Sequence, residues 1–145
     1  MKVHTIGFTK KSAEAFFLAL KGSGAKRLVD VRLNNVSQLA GFAKRDDLRF
    51  FLREIANMDY VAIRDLAPTQ EMLDRYRKEN LGWAVYEREF LALMRSRKVE
   101  DTVSRDVIAD SVLLCSEETP DRCHRRLVAE YLRTHWGDLE ITHLV

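Results

Sequence analysis

Apolar residues recur along this chain at two periods, and the alternation between them lays out its elements. A period of two, or a short apolar run bounded by turn residues, marks a strand, and a period near 3.6 marks a helix. Lys2 to Phe8 reads as a first strand, with Gly7 near its end, where a missing Cβ lets the backbone turn or approach a ligand. Ser12 then N-caps a helix whose Phe16, Phe17 and Leu20 share one face, stopped by Gly22-Ser23-Gly24. Arg27 to Arg32 gives a second strand, with Asp30 and Arg32 on the same face. Residues 33–45 read as a polar loop, longer than most connections and of the kind that carries function. Asp46 or Asp47 caps a second helix with Leu48, Phe51, Leu52 and Ile55 at helical spacing, and Tyr60 to Ile63 forms a third strand leaving Arg64 and Asp65 at its exit.

After Pro68, Thr69 caps a short helix bearing Met72, Leu73 and Tyr76, and a longer one follows Gly82 with Tyr86, Phe90, Leu93 and Met94 on one side. Ser96 to Asp110 is charged and weakly patterned, which predicts a surface loop. Val112 to Leu114 is a fourth, buried strand. Thr119-Pro120 reads as an N-cap and first helical residue, opening a helix that runs to about Trp136 with Gly137 as its C-cap, and Ile141 to Val145 is a last strand. Strands alternating with helices imply right-handed crossovers, so the fold class is α/β: one domain over residues 1–145, an open and mostly parallel five-stranded sheet with helices on both faces. Ligands of such sheets bind beyond the carboxyl ends of the strands. Those exits are Gly7-Phe8, Asp30 to Arg32, Arg64-Asp65 and Cys115 to Glu117.

Composition narrows the setting. A chain of 145 residues, 46% hydrophobic and 32% charged, suits a soluble globular domain, and no apolar run approaches the roughly 18 residues of a membrane span. The N-terminus enters a strand pattern without a signal-peptide core, so the expectation is a cytoplasmic protein with no membrane partner and with Cys115 and Cys123 as free thiols. A net charge of +2 does not support nucleic-acid binding from bulk electrostatics, so any anion site has to be local.

The richest stretch for chemistry is Val112 to Arg126, where a strand enters a helix amid two cysteines, a histidine, carboxylates and three arginines. Cys115 and Glu117 share a face of the strand line; Cys123, Leu127 and Tyr131 form one helical ladder, and His124, Val128 and Leu132 the next. Cys123 is either a thiolate favoured by the helix start and the arginines or a small buried hydrophobe. His124 is either an acid/base or hydrogen-bond donor to a ligand or a satisfied histidine fixing the helix to the sheet. Of Arg125 and Arg126, one is expected in solvent and the other to clamp a phosphate or carboxylate. Asp30, Arg32, Arg64 and Asp65 are either edge ion pairs or parts of a ligand site. No metal is expected from Cys115, Cys123 and His124, because adjacent residues on a helix point about 100° apart and the four-ligand spacing of zinc fingers is missing. A cysteine at a strand exit with an arginine before the helix is similar to the anion loops of cysteine phosphatases and rhodaneses, as is Leu28 to Arg32 to a rhodanese strand. Glu117, Glu118 and Asp121 would repel an anion there, and the Cys115-to-Arg122 spacing is one residue longer than in the phosphatases.

Thr5-Ile6-Gly7, Leu28-Val29-Asp30-Val31-Arg32, a Ser37 to Phe42 loop, Cys115-x-Glu117-x-x-Pro120-x-x-Cys123-His124-Arg125 and a final His143-Leu144 together resemble the domain-of-unknown-function 488 family over essentially the whole chain. The resemblance implies an α/β fold and makes Asp30, Arg32, Cys115, Glu117, Cys123, His124 and Arg125 shared positions, without supplying a reaction. This chain has Asn34-Asn35-Val36-Ser37-Gln38 where relatives carry proline and arginines, and Leu66-Ala67-Pro68 in place of a Leu-Gly.

Three readings follow. The leading one is a small enzyme acting on an anionic ligand, a nucleotide or nucleic-acid component, with no cofactor. Glu117, His124 and Asp30 would do the chemistry, and Gly7, Phe8, Arg32, Arg64, Arg125, Cys115 and Cys123 would line the ligand site. The second is a non-catalytic module binding a nucleotide or partner in the same crevice. The third is rhodanese-like thiol or sulfur chemistry at Cys115.

Overall fold

The computed structural model describes residues 1–36, 41–117 and 119–145. Five strands, β1 (Lys2–Gly7), β2 (Arg27–Asp30), β3 (Asp59–Ala62), β4 (Ser111–Cys115) and β5 (Glu140–His143), form one parallel sheet in the order β3-β2-β4-β1-β5. Every residue of β4 is buried, as an apolar run covered on both faces should be. On one face, Ile6, Leu28, Val112 and Leu114 pack under α1 (Ala13–Ser23) and α2 (Arg45–Phe51) through Phe16, Phe17, Leu20, Leu48 and Leu52. On the other, Val3, Val29, Val31 and Leu113 meet α3 (Gln70–Lys78), α4 (Trp83–Arg97), α5 (Val99–Thr102), α6 (Arg105–Ile108) and α7 (His124–Trp136). Among the described residues no helix is long and apolar enough to cross a membrane.

This winding positions the site. The chain moves outward from β1 to β2 and β3 under the first face, then returns over the second to insert β4 between β2 and β1. Adjacent strands β2 and β4 therefore send their loops to opposite faces, which opens a crevice at their carboxyl ends.

Four local expectations change. The second strand ends at Asp30 and not Arg32, so those side chains do not share a strand face by alternation; Arg32 reaches Asp30 by folding back from the loop. Helix α2 starts at Arg45 after an uncapped Lys44, and Asp46 and Asp47 lie in its first turn, where they favour the dipole; a π-helical turn, Leu52–Ala56, follows it directly. The charged stretch 96–110 is not a loop. It holds the end of α4 and the one-turn helices α5 and α6, separated at Lys98 (φ 52°), and their buried Val99, Val103 and Ile108 are too few for a period to show. Lastly, the helix expected from Thr119-Pro120 begins at His124, because Pro120 spends its carbonyl on the Cys123 N–H in a preceding turn. Ser37, Gln38 and Glu118, named above, lie outside the described residues.

Gly7 is the one glycine whose side is fully occupied. A β-carbon there would overlap the carbonyl oxygen of Glu117 and crowd the guanidinium of Arg125. Gly22, inside α1, faces open space. Gly7→Ala should therefore lose about 3 kcal/mol, the upper part of the overpacking range, whereas Gly22→Ala should gain about 0.5–1 kcal/mol from helix propensity. Urea unfolding midpoints of the two variants check both signs.

Candidate functional site

A cleft of about 310 Å³ fills the crevice between the β2 and β4 exits. Cys115, Cys123 and His124 line it from the sheet and the start of α7, Arg32, Leu33 and Asn34 from the β2 side, and Ser116, Glu117 and Arg122 from the β4–α7 connection. The remaining wall comes from α3 and α4 through Leu73, Tyr76, Arg77, Trp83 and Tyr86.

Cys123 is the N-cap of α7 and extended (φ −138°, ψ 137°), so the 100° step between adjacent helical residues does not apply to it and His124. The angular objection to Cys123 and His124 sharing one ion therefore does not hold. The donor atoms of Cys115, Cys123 and His124 all lie within 4.8 Å of one another, and the three residues are buried. His124 Nε2 sits 2.6 Å from the carbonyl oxygen of Val31. A carbonyl only accepts, so Nε2 carries a hydrogen, and in the neutral ring Nδ1 then keeps its lone pair. Nδ1 is also the nitrogen nearer to Cys115 Sγ, at 3.2 Å against 3.6 Å for Nε2. Neither cysteine is in a disulfide. Burial pushes the Cys123 thiol well above its ordinary range, with Cys115 adding to the rise, against smaller opposing pulls from His124 and Arg125.

Arg125 lies beneath this cluster, 0% exposed. Its Nη1 donates to the Glu117 carbonyl and, at 3.7 Å, toward Cys123 Sγ; Nε donates to Thr5 Oγ1 at 3.3 Å, and Nη2 has no partner among the described residues. Gly7 leaves the room in which the Glu117 carbonyl sits. Arg125 thus holds the backbone from which the exposed Glu117 side chain reaches the cleft, and it does not itself line the cleft.

Asp30 belongs to a second buried group on the α1/α2 side. Its carboxylate accepts two side-chain hydrogen bonds from Arg32 (Nε and Nη2, both 2.8 Å), the Arg32 backbone N–H at 3.1 Å and the Tyr60 hydroxyl at 2.6 Å. Burial and the adjacent carboxylate push the Tyr60 phenol up, which keeps it a donor. The Arg32 guanidinium also lies 5.5 Å from the Phe8 ring centroid, and its buried Nη1 has no partner among the described residues. Arg32 lines the cleft while Asp30 and Phe8 hold it from behind. Arg64 is exposed in a 3-10 turn and does not line the cleft.

The aromatic wall was not anticipated. Tyr76, Trp83 and Tyr86 have ring centroids 4.9–5.9 Å apart, and the series continues through Phe90 to the His124 ring, 5.4 Å away. Tyr86 and Phe90 read as core in the sequence, and they are buried. The available signal was that Tyr76, in the last turn of α3, and Trp83, the first residue of α4, flank one short connection.

Against known families, the chain matches "Domain of unknown function DUF488" over residues 12–132 and belongs to that family. No curated protein and no solved structure matches it.

The Asp30 group gives a direct stability test. Asp30→Asn leaves a buried guanidinium without its counter-charge and should cost about 3–5 kcal/mol, whereas Tyr60→Phe removes one hydrogen bond to a charged group and should cost about 1.5–3 kcal/mol. Equilibrium denaturation ranks the two.

Proposed function

We propose that the chain is a small enzyme that binds a nucleotide, or a closely related aromatic anion, in the β2–β4 cleft and acts on it there. One observation carries this reading: aromatic rings and guanidinium groups line the same cleft. Tyr76, Trp83 and Tyr86 offer flat surfaces for a base, and Arg32, Arg77 and Arg122 offer donors for a phosphate, against one carboxylate, Glu117, among the described lining residues. Asp30 and Phe8 fix the Arg32 fork, and its buried Nη1 has no partner among the described residues, so Arg32 is the most rigidly held of these cations.

Roles follow from position. Glu117 is the acid/base group, as the exposed carboxylate of the cleft. Asp30 is saturated by four donors and acts through Arg32 as a positioning residue. Arg125 and Gly7 position the Glu117 backbone. Both nitrogens of His124 are engaged within the protein, so its influence on a ligand passes through Cys115.

A second reading, thiol chemistry at Cys115, is favoured by the 3.2 Å approach of His124 Nδ1 to its sulfur, with the ring oriented by Val31. It requires Cys115 to be alkylated faster than free cysteine at neutral pH, and slow or absent alkylation removes it.

Thermal shift followed by equilibrium binding, using nucleoside mono-, di- and triphosphates, tests the first reading. Trp83→Ala should weaken the bound nucleotide by about 5- to 150-fold, corresponding to the roughly 1–3 kcal/mol of base stacking, and Arg122→Gln should weaken it further for the more highly phosphorylated ligands. Glu117→Gln should bind as the unaltered chain does and turn nothing over. A chain stabilised by no nucleotide, or a Trp83→Ala variant that binds undiminished, contradicts the proposal.

A further inference from the structure

We propose that Cys115, Cys123 and His124 form a zinc site whose fourth coordination position faces the cleft. The inference goes beyond the nucleotide reading and does not rest on it. Three soft or borderline donors, all buried, converge within 4.8 Å, and Cys₂His with an open position is a donor set that zinc uses where it also meets a ligand. All three residues line the cleft.

The surroundings favour coordination in two independent ways. The Val31 carbonyl accepts the Nε2 hydrogen of His124 at 2.6 Å, which fixes the tautomer and leaves Nδ1 as the ligating atom beside the sulfurs. A backbone carbonyl is one of the common partners of a metal-bound imidazole, with carboxylates and water. Arg125, buried and without a carboxylate partner among the described residues, donates Nη1 to the Glu117 carbonyl and brings it within 3.7 Å of Cys123 Sγ. A thiolate there would satisfy that cation, and an N–H donor to a coordinated sulfur stabilises the thiolate form. A lone Cys–His nucleophile pair would need neither the second sulfur nor its arginine.

Binding exchanges two thiol protons for one zinc ion: the S–H bonds of Cys115 and Cys123 break, two Zn–S bonds and one Zn–N bond form, and two protons pass to solvent, with no change in oxidation state.

The test uses the full chain, reduced with a phosphine, and zinc alone. One zinc per chain should survive gel filtration, and calorimetry in buffers of different ionisation enthalpy should report about two protons released per ion near pH 7. Cobalt(II) in place of zinc should give thiolate-to-metal charge-transfer absorption, a readout that needs no variant. Cys115→Ser, Cys123→Ser and His124→Ala should each weaken zinc by more than about 100-fold, beyond the cost of losing an outer-shell partner. A reduced chain that retains no zinc, a cobalt spectrum without thiolate absorption, or serine variants that bind like the unaltered chain would overturn the site. So would a chain isolated with a Cys115–Cys123 disulfide that takes up no zinc after reduction. None of these readouts involves a nucleotide, so each proposal stands or fails separately.

Discussion

The hydrogen bond from His124 Nε2 to the Val31 carbonyl is the constraint on which the site depends. Val31 lies one residue past β2, where the sheet ladder gives out: its N–H still finds the Leu114 carbonyl, but its own carbonyl looks into the crevice. A buried carbonyl left without a donor is costly, and the first residue of α7 supplies one from 93 positions away in sequence. That single bond joins the two loops that diverge at the switch point. It also selects the histidine tautomer and turns Nδ1 toward Cys115. The position of the ring, and through Phe90 its contact with the aromatic wall, follows from it.

Two buried guanidiniums flank this bond and are treated oppositely. Arg32 is neutralised by Asp30 in a bidentate pair that Tyr60 completes, so its charge is fixed in place and one buried donor, Nη1, has no partner among the described residues. Arg125 is met by a carbonyl, a hydroxyl and a sulfur and by no carboxylate among the described residues. A cation held in that way is expensive for folding alone, because neutral acceptors return only part of its lost hydration. The arrangement makes sense where the nearby sulfur becomes anionic. Both cations sit near the carboxyl edge of the sheet, Arg32 lining the cleft and Arg125 beneath it.

The architecture was legible in the sequence because long periodic elements carry strong signals. Phe16, Phe17 and Leu20 of α1 and the apolar run of β4 could belong to few other structures, and a mostly parallel sheet covered on both faces is what the alternation of strands and helices implies. Elements of a single turn, such as α5 and α6, hold too few apolar residues to reveal a period. The start of α7 was obscured by a local signal that pointed elsewhere: Thr119-Pro120 has the chemistry of a helix start, but Pro120 is used in a turn and the cap falls on Cys123. That shift of four residues decided the reading of the cysteines, since an extended Cys123 can aim its sulfur where a helical one cannot. The gathering of Asp30, Arg32 and Tyr60 was half visible, for Tyr60 comes from the neighbouring strand in register with Leu28 and register cannot be read from one strand alone. The aromatic wall was least visible, because Tyr76, Trp83 and Tyr86 obey the same spacing as core residues.

Nitrogen-15 NMR of the histidine ring, with the chain reduced and free of added metal, tests the central claim most directly. The account requires His124 to hold a hydrogen on Nε2 and a bare lone pair on Nδ1 near neutral pH, and the long-range coupling pattern of the ring distinguishes that tautomer from its alternatives. An Nε2–H tautomer is the predicted result. An Nδ1–H tautomer would contradict the bond to Val31, and a ring protonated on both nitrogens beside a Cys115 thiolate would replace the ligand site with a nucleophile pair.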